Sequence, residues 1–474
     1  MDKEMIISGL GALLGEDRVQ SDPEIIRKAS TDYIGFRQYE RFDGKDWLPK
    51  AICVVKPRST EEVSKALAFL NENRIDTTPR TGGSSVTQSI EPEEGGVILD
   101  GSEMNGIISL NERDMMVTAK CGTPLEYLEN YLNERGFTAG HFPQSLPLAH
   151  LGGLAATRSI GQFSTLYGGI EDLLVGLEAV LADGEVIRIK NVPRRSVGPD
   201  LRHLFIGSEG MLGFITELTL KLFRHTPETR WMHSWAVKGM SPGLDLIREV
   251  MIEGYRPAVV RLHDPTEVQR MFGGSVPEGY SVLLFLAEGP ASITAATGQG
   301  ITGIAGRYET IDLGTKTVES WLKTRNDVCY RMDEPVYYRQ GLVADTCEIS
   351  APWSEIGNIY EAVRERLPGE LPNLGFIGGH SSHSYVQGTN IYFTFAFVVQ
   401  KGAESARTDY MKIVSVIMEE TLKRGGSIAH HHGSGKYRTR WMPQEHGSSY
   451  PLLRKLKEAL DPNRILNKGV LLTD

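Results

Sequence analysis

The stretch "AHHHGSGKYRTRW", residues 429–441, places His430, His431 and His432 side by side, ahead of Gly433-Ser434-Gly435 and of Lys436, Arg438 and Arg440. Imidazole titrates near neutral pH, so such a run can take and return protons or bind a metal ion. Neighbouring side chains diverge on a strand or helix, which works against one ion collecting all three rings. His380 and His383 stand at a feasible spacing, but no Cys or carboxylate completes a recognisable ligand set, and no metal is expected. Acid–base chemistry is the preferred reading. Repulsion among the rings and from Lys436 and Arg438 should favour neutral imidazoles. The run sits between an apolar helix-like segment and a glycine turn, where backbone can approach a ligand, so a solvated loop is the weaker alternative. Tyr392, in the apolar run "NIYFTFAFVVQ", offers a hydroxyl, although tyrosine in such a strand ordinarily packs in a core. Arg261 in "VVRLHD" and Arg331 are each able to grip a phosphate or carboxylate at two points, or to serve as structural ion-pair partners.

Three glycine-rich stretches precede these residues: "PRTGGSSVT" (79–87), "LGGLAATRSIG" (151–161) and "GSEGMLGFIT" (207–216). Glycine lets backbone N–H groups approach an anion, and neighbouring hydroxyls add donors. Each also reads as a simple tight turn. No G-x-G-x-x-G opens a helix after a strand and no Walker pattern occurs, which disfavours a nicotinamide-binding Rossmann unit and a nucleotide triphosphatase.

The elements that must position these residues are legible by pattern. Residues 51–80 read as strand–helix–strand. Ser59 and Glu62 have capping-box spacing, and Val63, Ala66, Leu67 and Leu70 lie on one helical face. A further helix is expected from Thr123 as cap and Pro124 as first residue, stopping at Gly136. "GLEAVLADGEVIRI" predicts a hairpin with positive φ at Asp183-Gly184. From about residue 226 longer strands alternate with helices, as in an α+β domain with an antiparallel sheet and helices on one face. The fold class is α+β. Residues 1–225 form the first domain (core about 45–225), 226–425 a cap or substrate domain, and 426–474 a C-terminal segment carrying the histidines back to the first domain.

The 474 residues are 40% hydrophobic and 23% charged, ordinary for a globular protein, and the net charge of −9 disfavours a nucleic-acid partner. Cys53, Cys121, Cys329 and Cys347 are scattered without a C-x-x-C pair, so a disulfide framework is not expected and a reducing, cytoplasmic compartment is. The N-terminal stretch lacks the apolar core of a secretory signal. No run approaches the roughly 18 apolar residues that span a bilayer, which leaves peripheral membrane contact open.

Together, "VVKPRSTEEVSKALAFLNENRI…TPRTGGSSV", "HFPQSLPLAHLGGLAATRSIGQFSTLYGGIEDLLVGLEAVLADGEVI" and "RSVGPDLRHLFIGSEGMLGFITE" resemble the two-subdomain, PCMH-type FAD-binding domain of the vanillyl-alcohol-oxidase superfamily. The resemblance implies FAD held by three groups of residues. Pro79, Arg80, Thr81, Gly82, Gly83, Ser84 and Ser85 match the pyrophosphate loop. Gln144, Ser145, Leu146, His150, Gly153, Thr157, Arg158 and Ser159 match the flavin side, and Glu209, Gly213 and Ile215 the nucleotide half. Ser84 stands where many relatives carry a flavin-linking histidine, so non-covalent FAD is expected.

Within the superfamily, "RSVGPDLRHLFIGSEG", "ISAPW", "IYFTFAF" and "SIAHHHGSGKYRTRW" are most similar to the alkyldihydroxyacetone-phosphate (alkylglycerone-phosphate) synthases. That resemblance assigns Tyr392 to proton transfer, His430–His432 to the essential histidine run, and Arg261 and Arg331 to activity and phosphate binding. It implies exchange of acyl for alkyl on acyl-dihydroxyacetone phosphate through a flavin N5 adduct. Three departures stand against that substrate. Thr394 replaces a second aromatic, His150 replaces a flavin-side threonine, and the lipid-channel segment after "RLHDPTEVQRMFGG" is cut to a few residues. The alternative is FAD-dependent dehydrogenation of D-2-hydroxy acids such as lactate or glycolate. Either reading calls for a small anionic substrate, and a homodimer is expected.

Overall fold

A computed structural model of the chain describes residues 2–44, 50–272 and 276–473. The expected start of the first core at residue 45 and the junction at 273–275, where the shortened segment follows "RLHDPTEVQRMFGG", lie outside the described residues.

The strand–helix–strand unit forms as the pattern requires. Strands Cys53–Val55, Val97–Asp100 and Thr77–Arg80 lie parallel, edged by Val19–Gln20, while helix Thr60–Glu72 buries Val63, Ala66, Leu67 and Leu70. Only half the capping box closes. Ser59 Oγ accepts the Glu62 N–H at 3.2 Å, but the Glu62 carboxylate turns to the Arg58 N–H at 2.8 Å.

A second sheet orders strands Ile107–Asn111, Met116–Lys120, Phe214–Lys221, Leu174–Val180 and Val186–Ile189, all antiparallel. Two local expectations need correction here. The helix expected from Thr123 spans Leu125–Asn133 with Pro124 as its cap, because the Thr123 hydroxyl is held by the backbone of Gly106. The hairpin turn is wider than two residues: the Leu181 N–H bonds the Glu185 carbonyl, and only Gly184 takes a positive φ, +90°. Glycine is needed there because a Cβ would lie 2.7 Å from the Ser64 carbonyl oxygen.

The large sheet runs in the order Thr310–Gly314, Trp231–Lys238, Tyr280–Ala287, Val259–His263, Leu374–Ser381, Gly388–Val398 and Leu342–Pro352, with every pairing antiparallel. Side chains alternate across it. Leu283 and Phe285 enter a core shared with helices Ser241–Ile252, Trp353–Glu370 and Ala403–Lys423. Val282, Leu284 and Leu286 enter the core that continues into the first domain. The sheet is therefore wedged between its own helices and the first domain, and a cavity opens along that seam.

Both ends of the chain cross the seam. Ile34 and Phe36 are fully buried in the second domain's core, with Phe36 edge-on to Tyr410 at 5.1 Å and the Gly35 N–H donating to Asp345 at 2.7 Å. The segment around helix Gly35–Phe42 thus packs with the domain that follows residue 225. At the C-terminus, the Thr77 N–H donates to the Ile465 carbonyl at 2.7 Å and the Asn467 N–H to the Thr77 carbonyl at 2.9 Å, fastening the last segment to the first sheet. All four cysteines are free and buried, and no described helix is long and apolar enough to cross a membrane.

Candidate active site

The cavity of about 720 Å³ is lined from both domains. At one end the chain leaves strand Thr77–Arg80 and turns through Gly82-Gly83-Ser84-Ser85. A Cβ on Gly82 would lie 2.5 Å from the Leu148 carbonyl oxygen, and Gly83 takes φ +69° beside the Arg80 guanidinium. Backbone is thus laid where side chains would otherwise intrude. Arg80 is tied to Asp100 at 2.8 Å, and the Gly153 N–H donates to Thr81 Oγ1 at 3.2 Å, joining the first and second glycine loops. Along the same wall Arg80 Nε, His150 Nδ1, Gln162 Oε1 and Asn467 Oδ1 are buried without a hydrogen-bond partner among the described residues. Buried polar atoms need partners, so this wall suits an extended polar ligand.

At the other end the histidine run is organised by Glu348, which is wholly buried. Its Oε1 accepts the backbone N–H groups of His430, His431 and His432 at 3.2, 3.2 and 2.9 Å. Its Oε2 lies 3.0 Å from His432 Nδ1 and 2.7 Å from the buried guanidinium of Arg438. Burial alone would raise this carboxyl, but Arg438 and the adjoining imidazoles outweigh it and hold Glu348 well below the usual carboxylate range. The charge fixes the loop and orients His432. His432 Nε2 in turn lies 2.7 Å from the Tyr392 hydroxyl. Desolvation raises the Tyr392 phenol above its ordinary value, so it stays protonated. Tyr392, His432 and Glu348 therefore form a hydrogen-bonded chain leading from the cavity to a buried carboxylate.

The three histidines do not act as one group. His431 and His432 line the cavity, whereas His430 faces a second recess of about 650 Å³ and lies 2.9 Å from the Tyr385 hydroxyl. The expected divergence of neighbouring rings also fails for one pair, since His430 Nδ1 and His431 Nδ1 approach to 2.9 Å. Gly433, at φ +84°, permits this turn, and the buried carboxylate of Glu209 accepts the Ser434 N–H at 2.7 Å and the Gly435 N–H at 3.0 Å. Burial, more than the neighbouring charges, lowers the His430 imidazole to about 4 and His431 well below its ordinary value.

Arg261 projects into the cavity from strand Val259–His263 and is 8% exposed. It lies over the Trp321 ring at 5.2 Å and touches His263 at 3.4 Å, with no carboxylate in salt-bridge range among the described residues. Burial lowers its guanidinium to about 10, which leaves it charged at neutral pH. Beside it, Glu267 accepts from or bonds His263 Nδ1 at 2.7 Å, His380 Nδ1 at 2.9 Å and Thr394 at 2.8 Å, and His380 stacks on Tyr392 at 4.9 Å. Arg331 reaches the same cavity only at its rim, where its side chain is 63% exposed and pairs with Glu334 at 3.2 Å.

Of the residues expected around the cofactor, two do not line the cavity. Leu146 packs against the first domain's core, and Arg158 turns outward to Glu171 at 3.0 Å on the rim of the second recess. The remainder do line it. Sequence reasoning passed over Glu348, Glu267, His263, Ser164 and Tyr385. A signal existed for Glu348, a lone charge in the otherwise uncharged run "TCEISAPW".

A cavity between an α/β glycine-loop domain and a large antiparallel sheet, with proton-handling groups at the far end, has the layout of an enzyme that holds an extended polar cofactor against a catalytic wall. Residues 51–190 match the model of the FAD binding domain and residues 226–471 that of the C-terminal domain of FAD linked oxidases; the chain belongs to this family and binds FAD. It is 45% identical, over 99% of both chains, to the uncharacterized FAD-linked oxidoreductase YgcU of Escherichia coli (strain K12). It is 29% identical to the alkyldihydroxyacetonephosphate synthase of Caenorhabditis elegans, over 88% of this chain and 75% of that one. It is 28% identical to the mitochondrial D-lactate dehydrogenase [cytochrome] of Arabidopsis thaliana, over 88% and 73%. A solved structure of alkyldihydroxyacetonephosphate synthase superposes with a TM-score of 0.83 at 21% identity, over 98% of this chain and 86% of that one, and shares the fold.

Proposed function

We propose that this flavoenzyme oxidises a small alcohol carrying an adjacent anionic group, a 2-hydroxy carboxylate being the best fit. The observation that carries this reading is Arg261, a buried guanidinium with no carboxylate at ion-pair distance among the described residues, in the same cavity as the Tyr392 hydroxyl. An anion in direct contact is what such a cation can still take, and a carboxylate meets it at two points. With the carboxylate on Arg261, the neighbouring hydroxyl donates to Tyr392. Tyr392 passes its own proton to His432 Nε2, and Glu348 stabilises the resulting imidazolium at Nδ1. FAD, when bound along the glycine-loop wall, would supply the acceptor for the hydride leaving the hydroxyl-bearing carbon as it becomes a carbonyl. Seams that exclude water favour this chemistry, because charge interactions there are little screened.

Anaerobic addition of D-lactate, glycolate or a longer 2-hydroxy acid to the purified FAD-loaded protein should bleach the yellow flavin with one or more of them. Failure of every such acid to bleach it would sink the reading.

A second reading, ether-bond formation on acyl-dihydroxyacetone phosphate, is favoured by the histidine run itself and by the likeness to the C. elegans synthase. It asks for a phosphate-binding arginine, and Arg331 sits at the rim, paired with Glu334. The same preparation tested for alkyl-for-acyl exchange separates the two readings. The substrate is in both cases anionic and small-headed, and we extend the expectation of a homodimer as part of this proposal.

A further inference from the structure

Three of the histidines around the cavity come together in a way the hydride-transfer reading does not use. His383, His430 and His431 have ring centroids 5.1 Å apart in each of the three pairings. One nitrogen from each lies within 4.8 Å of the other two. His430 and His431 contribute Nδ1 atoms 2.9 Å apart, and His383, whose Nδ1 is 2.9 Å from Ser164 Oγ, has Nε2 left to offer.

We propose that His383, His430 and His431 bind a divalent first-row transition metal ion, Zn²⁺ being the best match, in the wall between the FAD cavity and the second recess. Zinc–imidazole bonds of about 2.0–2.1 Å at tetrahedral angles put ring centroids about 5 Å apart, the spacing found here. The outer nitrogens are already held. Ser164 orients His383, and Tyr385 lies 2.9 Å from His430 Nε2, which is how metal-bound imidazoles are ordinarily aimed. All-imidazole donors suit Zn²⁺ and its neighbours rather than Mg²⁺ or Ca²⁺. Three protein ligands leave a position of a four-coordinate ion for water or a substrate oxygen, as in catalytic rather than structural sites.

The other histidine cluster, His263 and His380 around Glu267, is a weaker candidate. Its carboxylate is already engaged by both rings and by Thr394. The inference also gives the adjacent histidines separate tasks: His430 and His431 hold the ion, and His432 serves the chain to Glu348. It stands apart from the choice of substrate, since its test reads metal and not turnover.

The FAD-loaded protein is stripped with chelator, equilibrated with Zn²⁺ or Co²⁺, desalted and analysed for metal. About one equivalent per chain is expected, with Co²⁺ giving ligand-field bands of a four-coordinate ion to the red of the flavin absorbance. His383→Ala and His430→Ala should abolish stoichiometric retention while the flavin spectrum reports an intact fold. Ser164→Ala and Tyr385→Phe, which keep every ligand, should weaken binding by about 10- to 100-fold. These two keep the test decisive if a histidine variant does not fold. Absence of retained metal in the parent protein, retention unchanged in all four variants, or loss caused by His263→Ala in their place would overturn the proposal. In the first case the 2.9 Å contact is an ordinary N–H···N bond.

Discussion

Glu348 and Tyr392 are direct cross-strand partners in the large sheet, and His432 bridges their functional groups, 3.0 Å from the one and 2.7 Å from the other. The pairing of strands Leu342–Pro352 and Gly388–Val398 therefore sets the geometry of proton transfer. A one-residue slip would turn one of the two side chains to the opposite face of the sheet.

Tyr392→Phe removes the hydroxyl and keeps the ring. Flavin reduction by a productive 2-hydroxy acid should slow by about 10²- to 10⁴-fold, the range for a lost general acid–base group. Anaerobic stopped-flow absorbance measures this, and unchanged rates would take Tyr392 out of the reaction. FAD content should not change.

Glu348→Gln leaves Arg438, fully buried, without its counter-charge. Breaking a buried pair in this way costs about 3–5 kcal/mol. Thermal or denaturant unfolding of the variant should show a loss of that size, because the carboxylate also anchors the three backbone N–H groups of the histidine loop.

Arg261→Met should weaken the productive complex more than the flavin site. A charge-assisted hydrogen bond contributes about 1.5–3 kcal/mol, equivalent to about a 10- to 150-fold fall in kcat/KM. A parent-like kcat/KM would place the anion elsewhere, with Arg331 the next residue to substitute.

Gly82→Val introduces a Cβ 2.5 Å from the Leu148 carbonyl oxygen, where only backbone stands to yield. The variant should purify with little or no bound FAD. The ratio of flavin to protein absorbance reports it, and full occupancy would move the cofactor away from this loop.

Glu129 gives a pH signature of stability far from the chemistry. Burial raises its carboxyl from 4.5 to about 7, opposed in part by the Thr138 hydroxyl and the Ala139 N–H. Between those values the folded chain holds a proton that the unfolded chain has released. The group's stabilising contribution is thus full below about pH 4.5 and is lost as pH rises through 7. Glu129→Gln, which mimics the protonated form, should flatten the fall in Tm across that window; an unchanged slope would assign it to other carboxyls.

The sequence by itself determined what depends on neighbours along the chain. The glycine loops, the helix Thr60–Glu72 and the strands were legible because turn chemistry and hydrophobic period are local properties, whereas the class of cofactor followed only from the resemblance of whole motifs to the flavoprotein superfamily. Local grammar failed where a side chain found a competing partner, as Thr123 did with Gly106, and where the hairpin loop ran longer than its Asp183-Gly184 pair implied. The histidine run was visible as well, but not its division of labour. The carboxylate that orders it comes from 82 residues away, His383 arrives from another strand end, and His430 turns its back on the cavity. Arg331 and Arg261 read alike in sequence, and only the tertiary structure separated a solvated ion pair from a buried cation with no carboxylate at ion-pair distance among the described residues. Strand register and domain packing decide which distant groups share one space, and spacing along a single chain does not encode that convergence.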